Sequence, residues 1–169
     1  MRRILLGLMI LPALAYPCAA DDLEKGNFVS ACIREAAGLY DLPSGVLVIL
    51  LDVENGRLGE VSQNKNHTVD IGPMQVNDIW LPKLADHWGT SQEAAFRALR
   101  DEICPNIEGG AWILRQALDE AKGDFWDGVA RYHSHSGPSK AAYLRSVYEH
   151  AVRLEAKAAA SLRYGGGAE

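Results

Sequence analysis

The sequence predicts an all-α chain, or a mostly α chain with one small hairpin. Three observations carry that reading. Apolar residues recur at helical spacing in segment after segment. Ser, Thr, Asp, Asn and Pro stand where those segments begin, as helix starts require. The one long polar stretch, Arg57 to Val69, is rich in Asn and Gln and offers no helical face.

The first helix is expected from about Asp22 to Leu39, with Phe28, Cys32, Ala36 and Leu39 on its inner face. Pro43 and Ser44 open a second helix that ends near Glu54. Its run Val46-Leu47-Val48-Ile49-Leu50-Leu51 is apolar all round, which makes it the expected buried central helix. The β-branched residues also allow a strand there, but the Pro-Ser start and the length favour helix. Arg57 to Val69 should form a long loop or a short irregular hairpin.

Val76 to Trp88 reads as a helix with Trp80, Leu81, Leu84 and Trp88 at helical spacing. Pro82 must then fall in its first turn or kink it. Thr90-Ser91-Gln92-Glu93 is a capping box opening a helix to about Arg100. Asn106 is placed to cap a helix through Lys122 with Ile107, Ala111, Leu114 and Leu118 inward. Asp124 caps a short helix to about Tyr132. Ser136-Gly137-Pro138 opens the last helix, with Tyr143, Val147, Ala151 and Leu154 facing the core.

The N-terminus sets the expected compartment. Positive charge at Arg2 and Arg3, an apolar run from Ile4 to Leu14 and small residues at Cys18 and Ala20 form a secretory signal over residues 1–20. Pro17 argues against lipidation of Cys18, and the apolar run is too short for a stable membrane anchor. No membrane span is therefore expected after cleavage, and the destination is the periplasm. Removal of the first 20 of 169 residues leaves 149, enough for one domain, expected over residues 21–160 with a disordered tail over 161–169.

Lys+Arg then falls from 17 to 15 against 22 acidic residues, a net of −7. An acidic domain without a basic run is a poor partner for nucleic acid or an anionic membrane surface. Two cysteines remain, Cys32 and Cys104, and an oxidising compartment should pair them. The chain-entropy value of such a bridge is about 4 kcal/mol at most.

Two segments could carry chemistry. Leu51-Asp52-Val53-Glu54-Asn55-Gly56 puts a carboxyl group at the C-terminus of an apolar helix. The helix dipole and desolvation both disfavour negative charge there, which suits Glu54 to a general acid. The same pattern also fits an ordinary solvated Glu at a helix end. Asp70-Ile71-Gly72-Pro73-Met74-Gln75-Val76-Asn77 supplies a tight turn at Gly72 and an amide at Gln75 that can both donate and accept.

With these residues in view the chain resembles soluble lytic transglycosylase domains of the lysozyme-like superfamily. Val53-Glu54-Asn55 looks like the Glu-Ser or Glu-Asn end of their catalytic helix. Asp70 to Asn77 looks like their Gly-Leu-Met-Gln-Ile-Asn motif. Cys104-Pro105-Asn106-Ile107 followed by Gly110 resembles their Asn-Ile-x-x-Gly helix start. Ala130-Arg131-Tyr132-His133-Ser134, followed by Tyr143 and Val147, resembles their Ala-x-Tyr-Asn-Ala-Gly segment and closing helix. The likeness runs from about Cys32 to Val152 and is nearest to small single-domain members that accompany type III and type IV secretion, conjugation and pilus systems. Those also tend to carry a cysteine in the first helix and one before Asn-Ile.

The resemblance implies a lysozyme-like fold with a substrate cleft and Glu54 as the catalytic acid. It implies substrate contacts from Met74, Gln75 and Tyr132, and peptidoglycan glycan strands as the substrate. It also implies that components of a secretion, conjugation or pilus system are partners. Three departures stand out. His133 and Ser134 replace Asn and Ala, Pro73 replaces Leu, and Asp70 sits where animal c-type lysozymes have a second carboxylate. Asp70 reads equally as that carboxylate or as a residue capping the Gly72 turn through backbone amides.

Other features have plainer readings. His133-Ser134-His135 shows no third ligand, so neither a metal nor a cofactor is expected. Asn66-His67-Thr68 fits a glycosylation sequon by coincidence. Trp80, Trp88, Trp112 and Trp126 fit core packing better than sugar stacking. Ser134 lacks a nucleophile elbow. Three function classes follow: a lytic transglycosylase forming 1,6-anhydromuramic acid, a hydrolytic muramidase using Glu54 and Asp70, and a non-catalytic factor that docks on the wall.

Overall fold

The computed structural model describes the backbone of residues 18–164 and the side chains of residues 23–163. Most of the expected signal, residues 1–17, and residues 165–169 of the expected tail lie outside the described residues. Seven helices and a three-stranded antiparallel sheet are described, so the class is mostly α with a small sheet and a lysozyme-like cleft, as expected.

Helix α1 (Cys18–Leu39) buries Cys32, Ile33, Ala36 and Ala37, flanked by the partly buried Val29 and Tyr40. Phe28 and Leu39, expected on the inner face, are 57% and 64% exposed. The buried stripe follows i, i+3, i+4, i+7, i+8 from Val29, and a four-residue spacing counted from Phe28 drifts off it. Helix α2 (Ser44–Glu54) buries Val46, Leu47 and Leu50 and packs mainly against α7 and α1. It is not the central helix. That place belongs to α5 (Ile103–Glu120), which buries nine residues and packs against α1, α4 and α6.

The polar stretch forms a hairpin, and a third strand joins it. Strands β1 (Val61–Gln63), β2 (Val69–Ile71) and β3 (Val76–Asn77) pair in that order, all antiparallel. Asp70 stands opposite Ser62 on one side and Asn77 on the other. Side chains alternate across a strand, so Ile71 and Val76 enter the core while Asp70 and Asn77 share the other face.

The helix expected from Val76 therefore starts later. Asn77 accepts from the Ile79 N–H and caps a 3-10 turn at Asp78–Trp80, and α3 (Leu81–Trp88) follows with Pro82 in its first turn. The extended strand pair and the cap outweigh the helical spacing of the apolar residues. Helix α4 (Gln92–Asp101) is capped by Ser91, whose hydroxyl accepts from the Ala94 N–H, one residue later than the capping box implied. Asp124 caps α6 (Phe125–His133) through the Asp127 N–H. Helix α7 (Gly137–Tyr164) buries Tyr143 and Val147. It continues through residues 161–164, which the sequence reading gives to the tail.

Asn106 is not a cap. Helix α5 starts three residues earlier, and the Asn106 side chain is fully buried. Its Oδ1 accepts from the Met74 N–H at 2.7 Å, and its Nδ2 donates to the Ile71 and Leu99 carbonyls at 2.9 and 2.8 Å. One amide thus satisfies β2, the turn after it and the end of α4.

Of the four tryptophans, Trp80, Trp88 and Trp112 pack against the core, while Trp126 is 56% exposed. Among the described residues no helix is long and apolar enough to cross a membrane.

Cys32 and Cys104 form a disulfide with a Cα–Cα distance of 5.0 Å, tying α1 to the first turn of α5 across 72 residues of sequence. Peptide mapping of non-reduced, exported protein is expected to give one linked pair containing both cysteines. The double variant C32A/C104A is expected to lose up to about 4 kcal/mol of stability in a denaturant melt. Two free thiols in the exported protein would contradict the bridge.

Candidate active site

Glu54 is the last residue of α2. Asn55 follows in the left-handed conformation, φ 49°, and its N–H returns to the Leu51 carbonyl. Asn tolerates that conformation, so the helix stops where Glu54 reaches its C-terminal end. The next residue, Gly56, lies against the turn after β2. A Cβ there would meet the Gly72 carbonyl oxygen at 2.1 Å and the Gln75 Nε2 at 2.4 Å. Gly72 itself has φ 65°, and a Cβ on it would meet Asn106 Nδ2 at 2.4 Å. Gly56 lets the chain after α2 meet the Gly72–Gln75 turn backbone to backbone, and Gly72 lets that turn lie against Asn106 and the end of α4.

Glu54 faces a cleft of about 430 Å³. Asp70, Gln75, Trp80, Tyr132 and His133 line the same cleft. Burial pushes the Glu54 carboxyl up to about 7. A hydrogen bond from the Tyr143 hydroxyl to Glu54 Oε1, 2.5 Å long, opposes that rise, and the negative charge of Asp70 adds to it. Burial also raises the Tyr143 and Tyr132 hydroxyls, and Glu54 nearby raises both further. Both phenols therefore stay protonated and act as donors. The group best placed to move a proton near neutral pH is Glu54.

The opposite wall is a polar network on the sheet. Asp70 Oδ1 accepts from Asn77 Nδ2 at 2.6 Å, and Oδ2 accepts from Asn64 Nδ2 at 2.9 Å. Thr68 Oγ1 accepts from both asparagines and donates to Asn66 Oδ1. The partners found for Asp70 are two side-chain amides, rather than the backbone amides of the Gly72 turn. Hydrogen bonds of this kind fix the direction of both carboxyl oxygens.

The remaining expected contacts divide. Gln75 has φ 48°, lines the cleft and uses its Nε2 on the Gly72 carbonyl at 2.9 Å. Tyr132 lines the cleft and donates to the Met74 carbonyl at 2.8 Å. Met74 is not among the residues that line the cleft. Its side chain is fully buried beside Gly110, and the residue serves the site through its backbone, between Asn106 and Tyr132. Cys32 and Cys104 lie away from this cleft, in the disulfide.

Several site residues escaped the sequence reading. Tyr143 was legible only as a core position on α7, although a tyrosine on a core stripe needs a partner for its hydroxyl. Asn64 and Thr68 carried no catalytic signal and Asn77 closed its motif without an assigned role, but the alternation of β2 and β3 places Asn77 beside Asp70. Arg131 and His135 also line the cleft, each paired with Glu120 at its edge. Among the described residues no group of three His, Cys, Asp or Glu side chains is placed to hold a metal ion.

No family model matches the chain. It is similar to protein IpgF and to invasion protein IagB. Protein IpgF of Shigella flexneri is 27% identical over 131 residues, covering 75% of this chain and 82% of the relative. Invasion protein IagB of Salmonella typhimurium is 23% identical over 133 residues, covering 76% and 79%. That of Salmonella typhi is 22% identical over 129 residues, covering 73% and 77%.

The raised Glu54 makes stability depend on pH. Below its unfolded value of 4.5 the group is protonated in both states. As pH rises from there through about 7, the unfolded chain releases the proton first, so stability is lost. Glu54→Gln removes that loss. At pH 8 the variant is expected to be more stable than the parent by up to about 3 kcal/mol. At pH 4 the two are expected to melt together in a calorimeter.

Proposed function

We propose that the chain is a peptidoglycan lytic transglycosylase that cuts the β-1,4 bond between N-acetylmuramic acid and N-acetylglucosamine. The observation that carries this reading is Glu54, which lies on the wall of a polar cleft and whose carboxyl burial raises to about 7. The four motifs shared with soluble lytic transglycosylase domains support it: residues of three of them line that cleft, and Asn106 of the fourth holds the turn behind it.

The residues suit a one-carboxylate mechanism. Tyr143 occupies Oε1 of Glu54 and leaves Oε2 to carry the proton. Glu54 donates that proton to the glycosidic oxygen, the bond to the anomeric carbon breaks, and the N-acetyl oxygen of the muramic acid closes on that carbon. Glu54, now a carboxylate, takes the proton from the C6 hydroxyl of the same sugar. The C6 oxygen attacks the anomeric carbon, releases the N-acetyl oxygen and forms the 1,6-anhydro ring. Gln75 and Tyr132 line the same cleft, which suits them to contact the sugars on either side of the bond.

A second reading rests on Asp70. Its two oxygens are oriented by Asn64 and Asn77 on the wall of the same cleft, as a carboxylate that stabilises or captures a sugar cation requires. The chain would then be a retaining muramidase that yields reducing ends.

The signal expected at residues 1–20 places the enzyme in the periplasm. The invasion-protein name of one relative and the family resemblance support a role in local openings of the wall for a secretion, conjugation or pilus apparatus.

Digestion of purified sacculi separates these readings. Anhydro-terminated muropeptides are expected, and reducing ends alone would reject the transglycosylase. Glu54→Gln is expected to lose at least about 100-fold in rate while still binding sacculi. Binding without cleavage by either protein would leave a wall-docking factor. Asp70→Asn is expected to keep anhydro products and most of the rate. A collapse of rate in a variant that melts like the parent would favour the muramidase.

A further inference from the structure

His133 is the last residue of α6 and lines the cleft. Its ring lies flat against the ring of Tyr143, with centroids 4.7 Å apart and planes 4° apart. The other end of Tyr143 holds Glu54. The three residues come from α6, α7 and α2, and together form one column from the cleft surface to the carboxyl group. Tyr143 is otherwise buried, so His133 covers the cleft-facing side of its ring. The phenol oxygen lies on the axis of ring rotation, so its position follows χ1, and a ring stacked on the face of Tyr143 blocks the sideways swing that would draw the hydroxyl off Glu54. The family that this chain resembles carries Asn at the matching position, which has no ring to stack.

We infer that His133 is a positioning residue, which clamps the Tyr143 ring so that its hydroxyl stays on Glu54 Oε1 and Oε2 alone faces the substrate. The kinetic part of this inference rests on Glu54 being the acid; the geometric part does not. The groups near Glu54 are Asp70 from β2, Tyr132 from α6 and Tyr143 from α7. Asp52, on Glu54's own helix, is paired with His150 at 2.7 Å. A change at His133 alone leaves Asp70, Tyr132 and the Asp52–His150 pair chemically unaltered, so a moved Glu54 midpoint reports on Tyr143. Loosening Tyr143 removes a hydrogen bond that favours the Glu54 carboxylate, so the carboxyl should titrate at a higher pH.

The test follows the Glu54 side-chain carboxyl by carbon NMR as pH is raised, in the parent, Y143F, H133A, H133N and H133F. Y143F should raise the Glu54 midpoint by about one unit, setting the scale for a lost hydrogen bond. H133A and H133N should move it at least half as far. H133F keeps a ring in the stack without the imidazole charge and should match the parent. On soluble glycan strands H133A and H133N should lose about tenfold in kcat with unchanged KM, and H133F should be close to normal. Only variants that melt like the parent count, and H133N serves if H133A fails to fold.

An unmoved midpoint in folded H133A or H133N overturns the clamp. So does an H133F midpoint that moves as far as that of H133A, since the imidazole charge would then be what matters. The titration needs no turnover, so the two readings fail separately. Shifts without any cleavage keep the clamp and sink the enzymatic reading. Anhydro products without shifts sink the clamp alone.

Discussion

The arrangement of the cleft depends on one buried amide. Asn106 sits in the first turns of the central helix, out of contact with water, and bonds three backbone groups from three different segments. A buried peptide N–H or C=O left without a partner costs about 1–3 kcal/mol. Those three groups are therefore held to Asn106, and with them the turn that carries Gly72, Met74 and Gln75. Tyr132 closes the frame from α6 by donating to Met74. The turn has no regular structure to fix it, yet it is tied to α5, α4 and α6 at once.

That frame sets the electrostatics of the site. Two carboxyl groups share a cleft but are treated differently. Glu54 has one donor, from Tyr143, and is largely enclosed by protein, so its neutral form is favoured. Asp70 has an amide on each oxygen and lies on a hydrogen-bonding wall. The difference comes from the elements that carry them. A helix that is apolar on nearly every side delivers its last residue into dry surroundings. A strand with one inward and one outward face delivers Asp70 among the polar side chains of its neighbours.

Much of this was legible in the sequence. Helix spacing and caps gave the helical class and most element limits, and the end of α2 made Glu54 a candidate that helix chemistry alone did not separate from an ordinary solvated Glu. The errors share a physical origin. Phe28 and Leu39 were misplaced because several faces of an apolar-rich helix satisfy a loose four-residue spacing. Strand β3 was hidden because two residues of strand carry no period, and Trp80, Leu81, Leu84 and Trp88 imitate one helix across a boundary. Asn106 read as a cap because its residue type favours that place, while its real partners lie seven to 35 residues away in sequence. Tyr143 and Met74 exchanged roles for the same reason. Whether a side chain meets solvent, core or a carboxyl group is decided by elements distant in the chain.

The disulfide divides the site in a way that the distances alone do not reveal. Residues 32–104 form a closed covalent loop, and Glu54, Asp70 and Gln75 all lie within it. Tyr132, His133 and Tyr143 lie on the open arm beyond Cys104. A single protease cut at the hairpin tip near His67 would leave every residue of the chain still joined. A single cut between α5 and α6 would leave the second wall of the cleft held by noncovalent contacts alone. Against a protease, the exposed hairpin is thus the safer place for a cut, and the Lys122–Gly123 turn the vulnerable one.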